Sequence, residues 1–521
     1  MGLKACIKRM ELPYVNRWIN EDIRPIESSR RTWGFLMFHN LCIAIGNIIA
    51  TAAFIVNSLP GIYLHLGFPV FSRAVWGMRG AQFAIWNRIF LSFVWYGFTC
   101  WVGGQCVYVV LISWDPNLEK HIPNTMSEDT GMTTAQFVAY AIFCTVSLPF
   151  IWIKPHRLQG FSIVTCAATL CFFLVLLIWA LLTMGSKGFG DTMSGRSELP
   201  STGGPDSAAW LMVYGATSTM GSISSAILNQ ADYTRFAARP AHALWGQAVP
   251  YPLYAILGSL VGILVTAATQ HRFGGEAVWD PPTLFVRLMA QAQQQDEGGR
   301  GTRAACFFAG LGLAVNQLGL NVMSNALAGG FDLAATFPRF INIRRGAYLT
   351  ALLSIAVNPW RLVNTSTTFL TVLSSYSVFL APMTGLMVSS YLVVNRRKIN
   401  IDDLYNGTAD SIYWYSHGYN WRAPIAWLVG VLPCMPGFAA AMNSSVQVTD
   451  GATKLYYMSY IYGFLSSGAV YAALHWAFPA DACSAFVRDA PSAKEVRQMY
   501  LGNWDVVLSE MPVVVSDLGG E

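Results

Sequence analysis

The chain has 521 residues, of which 54% are hydrophobic and only 12% are charged. Soluble domains usually contain about twice that charged fraction, so the composition argues against a soluble protein. The formal net charge of +5 is small for this length and gives no indication of a nucleic-acid partner. The ten cysteines and eight histidines show neither metal-ligand spacing nor a nucleophile–base pattern. We therefore expect no metal, no cofactor and no enzymatic activity.

Eleven stretches of 15 to 41 residues contain no Asp, Glu, Lys or Arg. A helix needs about 20 apolar residues to cross a hydrocarbon core, and a soluble chain of this length could not bury so many of these runs. The runs are continuously apolar rather than alternating, which excludes a barrel and predicts an all-α, multi-pass integral membrane protein surrounded by lipid. They begin near Trp33, Ile89, Thr133, Leu158, Ser207, Pro240, Ala304, Gly346, Leu362, Ala423 and Leu455.

The charges between these stretches divide the loops into two alternating sets. Basic clusters occur at 154–157, 235–239, 339–345 and 396–398, whereas residues 115–129 are rich in acids. Because basic loops face the cytoplasm, the first set is assigned there. The chain is thereby divided into a cytoplasmic N-terminal segment, a transmembrane domain and a cytoplasmic C-terminal tail, at residues 1–32, 33–479 and 480–521.

The start of the chain conflicts with this alternation. The basic N-terminus and the basic segment 73–88 should both be cytoplasmic, which requires an even number of crossings between them. Only one charge-free stretch lies there, and its strongly apolar part, residues 33–62, spans one bilayer with tilt and not two. We therefore expect a crossing to be missing or irregular near residue 40.

Ten ordered motifs resemble the nucleobase–cation symporters, specifically the fungal branch of uracil, allantoin and uridine permeases. The resemblance covers almost everything from Trp18 to Pro479. The motifs are RRTW at 30–33, HLGFPVFSRAVWGMRG at 65–80, WYG at 95–97 with WVGGQCVY at 101–108, HIPNTM at 121–126, NQADYTRFAARP at 229–240, ALWGQ at 243–247, GTRAACFF at 301–308, FPRFINIRRGAY at 337–348, SSYSVFL at 374–380 and GYNWRAPIAW at 418–427.

The resemblance implies a LeuT-like bundle of twelve helices, in which helices 1–5 and 6–10 form an inverted repeat with discontinuous helices at the midplane. On this chain the run at Ile89 corresponds to helix 3, that at Ser207 to helix 6, that at Ala304 to helix 8 and that at Leu362 to helix 10. The run ending before His65 resembles helix 2. Helix 1 is largely missing, so about eleven helices are expected here.

Helix 3 contains the first candidate substrate contacts. By the family motif, Trp95 is the platform on which a planar ring stacks, although a packing tryptophan is the alternative from the sequence alone. Thr99 lies one turn later on the same face, where the family usually has Gln. Gln105 occupies a place where the family usually has Glu, so an ionisable group expected inside the membrane is lost.

Helix 6 is rich in small and polar residues. Gly215, Ser218 and Ser222 are candidate cavity residues, because this composition permits a broken helix with free backbone groups, although close helix packing needs the same residues. Asp232 and Arg235 lie three residues apart at the end of this helix. They are interpreted as a pair at the cytoplasmic helix end rather than as a proton relay.

Helix 8 places Asn321 and Asn325 on one face, where an amide can both donate and accept hydrogen bonds to a pyrimidine edge. Asn325 matches a substrate contact of the family, and helix–helix hydrogen bonding is the alternative for both amides. Leu320 stands where the family commonly has Thr. Leucine cannot ligate sodium, so a sodium site formed by helices 1 and 8 is not expected.

Helix 10 has Ser390 where the family typically has Asp. With Gln105, this is the second neutral replacement of an intramembrane carboxylate, and no other carboxylate lies within the charge-free runs. We therefore expect proton coupling to be weakened or lost.

Together these features predict a plasma-membrane transporter of nucleobase-like compounds, with uracil or allantoin as the leading substrates and uridine as a further one. The resemblance implies cation symport by alternating access. The alternative is a protein that does not transport, either a sensor or a decayed or mis-spliced relative without ion coupling. The loss of helix 1, of the helix 8 hydroxyl and of both carboxylates favours that alternative.

Overall fold

The computed structural model describes residues 48–184, 204–294, 299–364 and 375–489, except residues 206, 275, 277, 279 and 444. These parts of the chain are mostly helical, and Ser416 and Tyr419 form an isolated β-bridge. The expected irregularity near residue 40, and with it most of the question of helix 1, lies outside the described residues.

The first two helices form a sharply bent pair. Helix α1 (Ile48–Leu64) and helix α2 (Phe68–Trp76) meet at an angle of 101°. His65 has a positive φ of 54°, and Pro69 lies in the first turn of α2, so the chain leaves the first helix and starts the second within three residues. The bend brings the start of α2 against the helix that contains Asp232.

Helix α3 (Ala81–Trp114) is the longest described helix, with 34 residues. At 1.5 Å per residue it measures about 51 Å, which exceeds the thickness of a hydrocarbon core. Two membrane helices follow, α4 (Thr134–Ile151) and α5 (Gln159–Met184). Helix α4 begins with a reciprocal capping box between Thr133 and Gln136, which fixes its start.

The next segment is interrupted at Ile223. Helix α6 (Ala208–Ser222) ends there and helix α7 (Ser224–Thr234) begins immediately afterwards. The expected break in helix 6 is therefore present, at the C-terminal edge of the predicted region 215–222. Helices α8 (Pro240–Ala248) and α9 (Pro250–Arg272) continue the chain, and α10 (Pro281–Gln294) follows them.

The region predicted as helix 8 changes its hydrogen bonding in the middle. Helix α11 (Arg300–Leu320) passes through a π-helical segment (Asn321–Ala326) into helix α12 (Leu327–Thr336). Such π segments frequently occur at functional sites, and this one contains both candidate asparagines. Helix α13 (Ile343–Ser354) and the short α14 (Pro359–Asn364) come next.

The remaining helices follow the gap at residues 365–374. Helix α15 (Ser377–Ser389) ends in a second π segment, Ser390–Val394. The last helices in chain order are α16 (Arg422–Val431), α17 (Met435–Met442), α18 (Asp450–Tyr457), α19 (Ser459–Ala477) and α20 (Asp481–Asp489).

Within the described residues, seven helices are long and apolar enough to cross a membrane, or up to eight if the bent pair counts as one span. Their outer faces are apolar, as shown by Phe90, Leu182 and Leu465, which are 61%, 78% and 60% exposed. Water does not favour so many exposed large hydrophobic side chains, whereas lipid does. The predicted all-α membrane architecture is confirmed.

Helix α3 is packed closely against α4 and α12. A Cβ added at Gly103 would collide with the Phe143 ring, and one at Gly104 would lie 2.7 Å from the Cα of Tyr140. Small residues permit this close approach of two helices inside a membrane. The packing holds the middle of α3 in a fixed position beside the central cavity.

Candidate functional site

A cavity of about 1000 Å³ lies between α3, the junction of α6 and α7, α10 and α11. This volume is at the upper end of the range of about 300–1,000 Å³ for ligand pockets. It reaches from Arg88 near the start of α3 to Tyr108 near its end and to the loop before α10. By the predicted orientation, Arg88 lies at the cytoplasmic end of the cavity and Tyr108 toward its outer end.

Three of the predicted site residues meet at the middle of the cavity. Trp95, Thr99 and Asn325 all line it, and Trp95 stands at 89° to the ring of Phe98. The Nδ2 atom of Asn325 donates to Thr99 Oγ1 at 3.0 Å and to the backbone oxygen of Trp95 at 3.3 Å. The candidate residues of α3 and of the π segment are therefore joined directly.

The second candidate asparagine, Asn321, is placed differently. Its side chain is fully buried and does not line the cavity. Its Nδ2 atom lies 3.1 Å from the Sγ of Cys100 and 3.4 Å from the oxygen of Tyr96, while its Oδ1 accepts a hydrogen bond from Asn325 at 3.0 Å. Asn321 therefore connects two helices, which is the alternative that the sequence had left open for it.

These contacts determine which way the Asn325 amide faces. The backbone oxygen of Trp95 and Oδ1 of Asn321 can only accept, so the NH₂ group of Asn325 must point at them. Its two N–H donors are shared among three acceptors of the protein. What Asn325 can still offer to a ligand is the carbonyl oxygen Oδ1, an acceptor.

Gln105 forms a second polar position, further along α3. It lines the cavity, and its Oε1 accepts a hydrogen bond of 3.3 Å from Gln136 of α4. Its Nε2 is buried and has no hydrogen-bond partner among the described residues. Because an unsatisfied buried donor is costly, this nitrogen is ready to donate to a bound ligand or to water.

Of the candidates in the broken helix, only Ser222 lines the cavity. Its hydroxyl donates to the backbone oxygen of Thr219 at 2.8 Å. Gly215 is exposed and lies outside the lining, so the structure does not bring it to the others. The backbone at position 218 belongs to α6, and the Ser218 side chain lies outside the described part of the structure.

Besides Gln105, the replaced positions that bear on ion coupling are 320 and 390, and they lie in different places. Leu320 lines the cavity, so it contributes hydrocarbon there and no ligand oxygen. Ser390 lies away from the cavity, is fully buried and accepts a hydrogen bond from Asn395 at 3.0 Å. The neutral residue at position 390 therefore acts on the packing at the end of α15 and not on the cavity wall.

The floor of the cavity contains a buried charge cluster. Arg88 of α3 contacts Asp232 of α7 at 3.1 Å through Nη1 and Asp332 of α12 at 3.0 Å through Nη2. Arg88 is 2% exposed and both carboxylates are 0% exposed. The Oδ1 atom of Asp232 also accepts the backbone N–H of Phe68 at 2.8 Å.

This cluster corrects the sequence-based interpretation of Asp232 and Arg235. The Asp232 carboxylate pairs with Arg88 on another helix, while Arg235 donates through Nε to the backbone oxygen of Asp232 at 3.2 Å. Both residues are buried, and the ion pair of the Asp232 carboxylate is formed with Arg88. The sequence could not show this, because Arg88 and Asp232 are 144 positions apart.

The opposite end of the cavity has an exposed ion pair. Glu276, in the loop before α10, contacts Arg287 at 2.6 Å, and both line the cavity. Hydrogen bonding to the Arg287 guanidinium lowers the pKa of Glu276 below its usual value. Because both side chains are exposed, this pair is screened by solvent and contributes little to stability.

Arg88 and Asp332 were missed because each lies just outside a charge-free run. The sequence spacing could have indicated that both residues lie on the same helix faces as the candidate site. Arg88 precedes Trp95 by seven residues and Asp332 follows Asn325 by seven, which is two helical turns and the same face in both cases. The face that carries the candidate site therefore continues to the charge cluster on both helices.

The chain matches a family model described as a permease for cytosine/purines, uracil, thiamine and allantoin over residues 35–463. It is 31% identical to the transporter aclS of Aspergillus oryzae, covering 91% of this chain and 88% of aclS. It is 31% identical to the allantoin permease and 32% identical to the uracil permease of Saccharomyces cerevisiae. These matches cover 88% and 89% of this chain and 76% and 77% of the two relatives.

The fold is similar to that of Mhp1, a nucleobase-cation-symport-1 family transporter. The closed conformation of Mhp1 with bromovinylhydantoin bound has a TM-score of 0.67 and 16% identity, and the match covers 90% of this chain and all of Mhp1. The inward-facing conformation has a TM-score of 0.59. At this identity the likeness concerns the fold, and it confirms the expected LeuT-like bundle. The fold agrees with the sequence match, and the sequence match places this chain in the nucleobase-cation-symport-1 family of permeases, as a membrane transporter of nucleobase-like compounds and not an enzyme.

Proposed function

We propose that this protein carries uracil or allantoin across the plasma membrane by alternating access, and that the substrate lies between Trp95 and Asn325. The observation that carries the proposal is the arrangement in the central cavity, where an indole, a hydroxyl and an amide oxygen surround one space. Relatives that are 31% and 32% identical are named allantoin permease and uracil permease, which supports these two compounds.

The ring of the substrate would stack on Trp95. This side chain is half-buried and lines the cavity, so one part of the indole is held by the protein while another faces the open space. Stacking of a nucleobase on an aromatic side chain contributes about 1–3 kcal/mol in nucleic-acid complexes. A planar pyrimidine or hydantoin ring has the π face that such stacking needs.

Asn325 would bind the edge of the ring as a hydrogen-bond acceptor. Because both N–H donors of this amide are directed to protein acceptors, its Oδ1 would receive an N–H of the ligand. Uracil and allantoin both carry ring N–H groups. A ligand without an N–H on that edge would leave this oxygen desolvated and unpaired, which costs about 1–3 kcal/mol.

The position of Gln105 favours allantoin over uracil. Gln105 lies six residues beyond Thr99 and ten beyond Trp95, which corresponds to about 9 Å and about 15 Å along α3, and its Nε2 has no partner among the described residues. A single six-membered ring stacked at Trp95 is too short to contact Gln105 as well. Allantoin has a ureido chain attached to its hydantoin ring, and the carbonyl of this chain can accept from Gln105.

Binding without transport is the second candidate, as in a sensor. The specific observation in its favour is Leu320, which presents hydrocarbon to the cavity where the family commonly has a hydroxyl. A cavity that binds a ligand but lacks a cation ligand on this wall would have one less means of linking ion binding to movement. This candidate and the transporter differ in uptake and not in binding.

The test is uptake of radiolabelled allantoin and uracil by a permease-deficient yeast that expresses the full chain. We expect uptake of both compounds, with the higher apparent affinity for allantoin. Gln105→Ala should reduce that preference, because it removes the donor for the ureido carbonyl and leaves the stacking position unchanged. Gln294→Ala, an exposed glutamine outside the cavity, is the control.

Binding of either ligand to the purified protein with no uptake in cells would contradict the transporter and support the sensor. Absence of both binding and uptake would contradict the site as well. Equal affinities for the two compounds, unchanged in Gln105→Ala, would contradict the role of Gln105 in selecting allantoin.

A further inference from the structure

We propose that Asp332 is a proton-binding site of this protein, in a buried cluster with Arg88 and Asp232 at the floor of the cavity. The proposal goes beyond the substrate site, since none of the three side chains is required to touch the substrate. It also provides an intramembrane acid that the neutral residues Gln105 and Ser390 do not supply.

The numbers of positive and negative charges in the cluster favour binding of a proton. One guanidinium lies within ion-pair distance of two carboxylates, at 3.1 Å from Asp232 and 3.0 Å from Asp332. All three side chains are at least 98% buried, so water cannot compensate the second negative charge. An uncompensated buried charge is strongly unfavourable. Binding of one proton makes the three groups neutral and removes this cost.

The hydrogen bonds assign the proton to Asp332. Asp232 accepts the N–H of Phe68 at 2.8 Å in addition to its contact with Arg88, and donors of this kind stabilise the ionised form. Both oxygens of Asp332 are buried and have no hydrogen-bond partner among the described residues. Their one ion contact is with Nη2 of Arg88. Asp332 is thus the less well compensated carboxylate.

Two other polar groups face the cluster, Tyr233 of α7 and Arg235 immediately after this helix. Arg235 lies with its guanidinium 4.6 Å from the centre of the Phe331 ring and donates to the backbone oxygen of Asp232. The hydroxyl of Tyr233 donates to the backbone oxygen of Ser324 at 2.9 Å. Neither of these contacts is made with the carboxylate of Asp332.

The charged and titratable groups of the elements packed against α7 and α12 make other contacts. Arg345 donates to the oxygen of Phe340, and the guanidinium of Arg344 lies over the Trp152 ring. Arg73 of α2 donates to the oxygen of Leu404, and Nδ1 of His65 lies 2.8 Å from the oxygen of Arg235. Arg88 is therefore the cation with which Asp332 is paired.

A proton can reach the cluster from the cavity. Arg88 lines the cavity, and so do Asn229 and Tyr233 on α7, so water that enters the cavity would reach the guanidinium. The proton leaves a hydronium ion in this water and forms an O–H bond on the Asp332 carboxylate. On release, the O–H bond breaks and the proton returns to water. No other reactant is needed.

The position of the site indicates how protonation would act on transport. This role in transport rests on the proposed function. Asp332 lies about 10 Å from Asn325 along the helix, by seven residues at 1.5 Å each. Arg88 and Asp332 lie on α3 and α12, which pack on each other, whereas Asp232 lies on α7. Protonation of Asp332 leaves Arg88 with Asp232 as its one charged partner and so strengthens the contact with α7.

The test follows the carboxyl group itself and needs no substrate. Infrared difference spectra of the full chain in lipid are recorded across a pH titration, and the C=O stretch of a protonated carboxyl is identified by its shift in D₂O. We expect one buried carboxyl band that is lost in Asp332→Asn. In Asp232→Asn the band should remain, but its midpoint should move to lower pH, because the competing carboxylate is gone. Asp410→Asn, an exposed carboxyl, is the control.

A band that persists in Asp332→Asn, a band lost only in Asp232→Asn, or no protonated buried carboxyl at any pH at which the protein stays folded would each overturn the proposal. If Asp332→Asn does not fold, Asp332→Glu gives the same test, since the C=O frequency must change when the protonated residue changes. Failure of allantoin or uracil uptake would contradict the proposed function and leave these spectra unaffected.

Discussion

At the scale of single residues, the cavity depends on how α3 presents its side chains. Trp95 and Thr99 are one turn apart, and both face the π segment that contains Asn325. The indole offers a flat apolar face, and Asn325 offers an oxygen whose direction is determined by the acceptors around its nitrogen. A flat ring would therefore stack on Trp95 and form its hydrogen bond with Asn325.

Trp95→Ala should weaken ligand binding by about 1–3 kcal/mol, tenfold or more, because the stacking surface is lost. Trp95→Phe should have a smaller effect because a π face remains. The measurement is competition of unlabelled allantoin against radiolabelled ligand on membranes from expressing cells. Trp86→Ala is the matched control, since Trp86 lies on the same helix outside the cavity lining. Equal binding by Trp95→Ala and the parent, with the protein folded, would exclude Trp95 from the site.

Asn321→Ala should lower the free energy of unfolding by about 1–3 kcal/mol, because it removes the partner of the Asn325 amide and leaves the buried oxygen of Tyr96 with one donor fewer. Thermal unfolding of the detergent-solubilised protein, without ligand, measures this change. Asn316→Ala on the same helix is the control. The Asn316 side chain is half-buried, and no hydrogen bond of it is found in the described structure, so we expect a change within about 0.5 kcal/mol. Equal unfolding temperatures of the two variants would show that Asn321 has no structural role.

At the scale of elements, the junction between α1 and α2 supports the charge cluster. Gly67 lies immediately before α2, and a Cβ at this position would lie 2.6 Å from Oδ1 of Asp232 and 3.4 Å from the Arg235 guanidinium. The absence of a side chain lets the backbone N–H of Phe68 approach Asp232. A glycine in a sharp turn thus allows a buried carboxylate on another helix to receive its hydrogen bond.

Gly67→Ala should destabilise the protein, because the new methyl group must displace a buried carboxylate that is paired with Arg88. We expect a loss of about 1–3 kcal/mol, as for other overpacked sites, measured by thermal unfolding. Gly262→Ala in α9 is the control, since no atom lies within 4 Å of its added Cβ. That change should be neutral or stabilising by up to about 1 kcal/mol, because alanine favours the helix. A Gly67→Ala protein as stable as the parent would contradict the close approach described here.

At the scale of the whole molecule, the exposed apolar faces and the apolar helices define a membrane protein, while the loop charges predict its orientation. The predicted cytoplasmic set contains the basic loops, and the acidic loop after α3 is predicted outside. The cavity is lined at one end by Tyr108 and Gln136, near that acidic loop, and at the other by the buried Arg88. With this orientation, the described conformation has its cavity on the outer side.

Cysteine labelling of intact cells with a membrane-impermeant maleimide tests the orientation. Lys120→Cys should be labelled from outside, and Asp410→Cys should be labelled only after permeabilisation, because positions 120 and 410 are exposed in loops predicted on opposite sides. The parent chain is the control, since Cys171 is the one exposed cysteine among those in the described residues. Labelling of Asp410→Cys from outside together with protection of Lys120→Cys would invert the orientation.

The sequence by itself determined the class of protein, the family and the three side chains at the middle of the cavity. Long apolar runs identify membrane helices because lipid offers the backbone no hydrogen bonds. Trp95, Thr99 and Asn325 could be selected because each lies in a local motif whose helical spacing places it on one face. The break in helix 6 followed from its small residues, although its position at Ile223 did not.

Only the tertiary structure decided the separate roles of Asn321 and Asn325 and the partners of Asp232. The two amides are equivalent in sequence spacing, and the packing of α3 makes one a buried helix link and the other a cavity residue. Asp232 stands beside Arg235 in sequence, yet it pairs with Arg88, which reaches it from a different helix and also contacts Asp332. Helical periodicity specifies which face a residue occupies, whereas the partner on that face is set by which helices pack together.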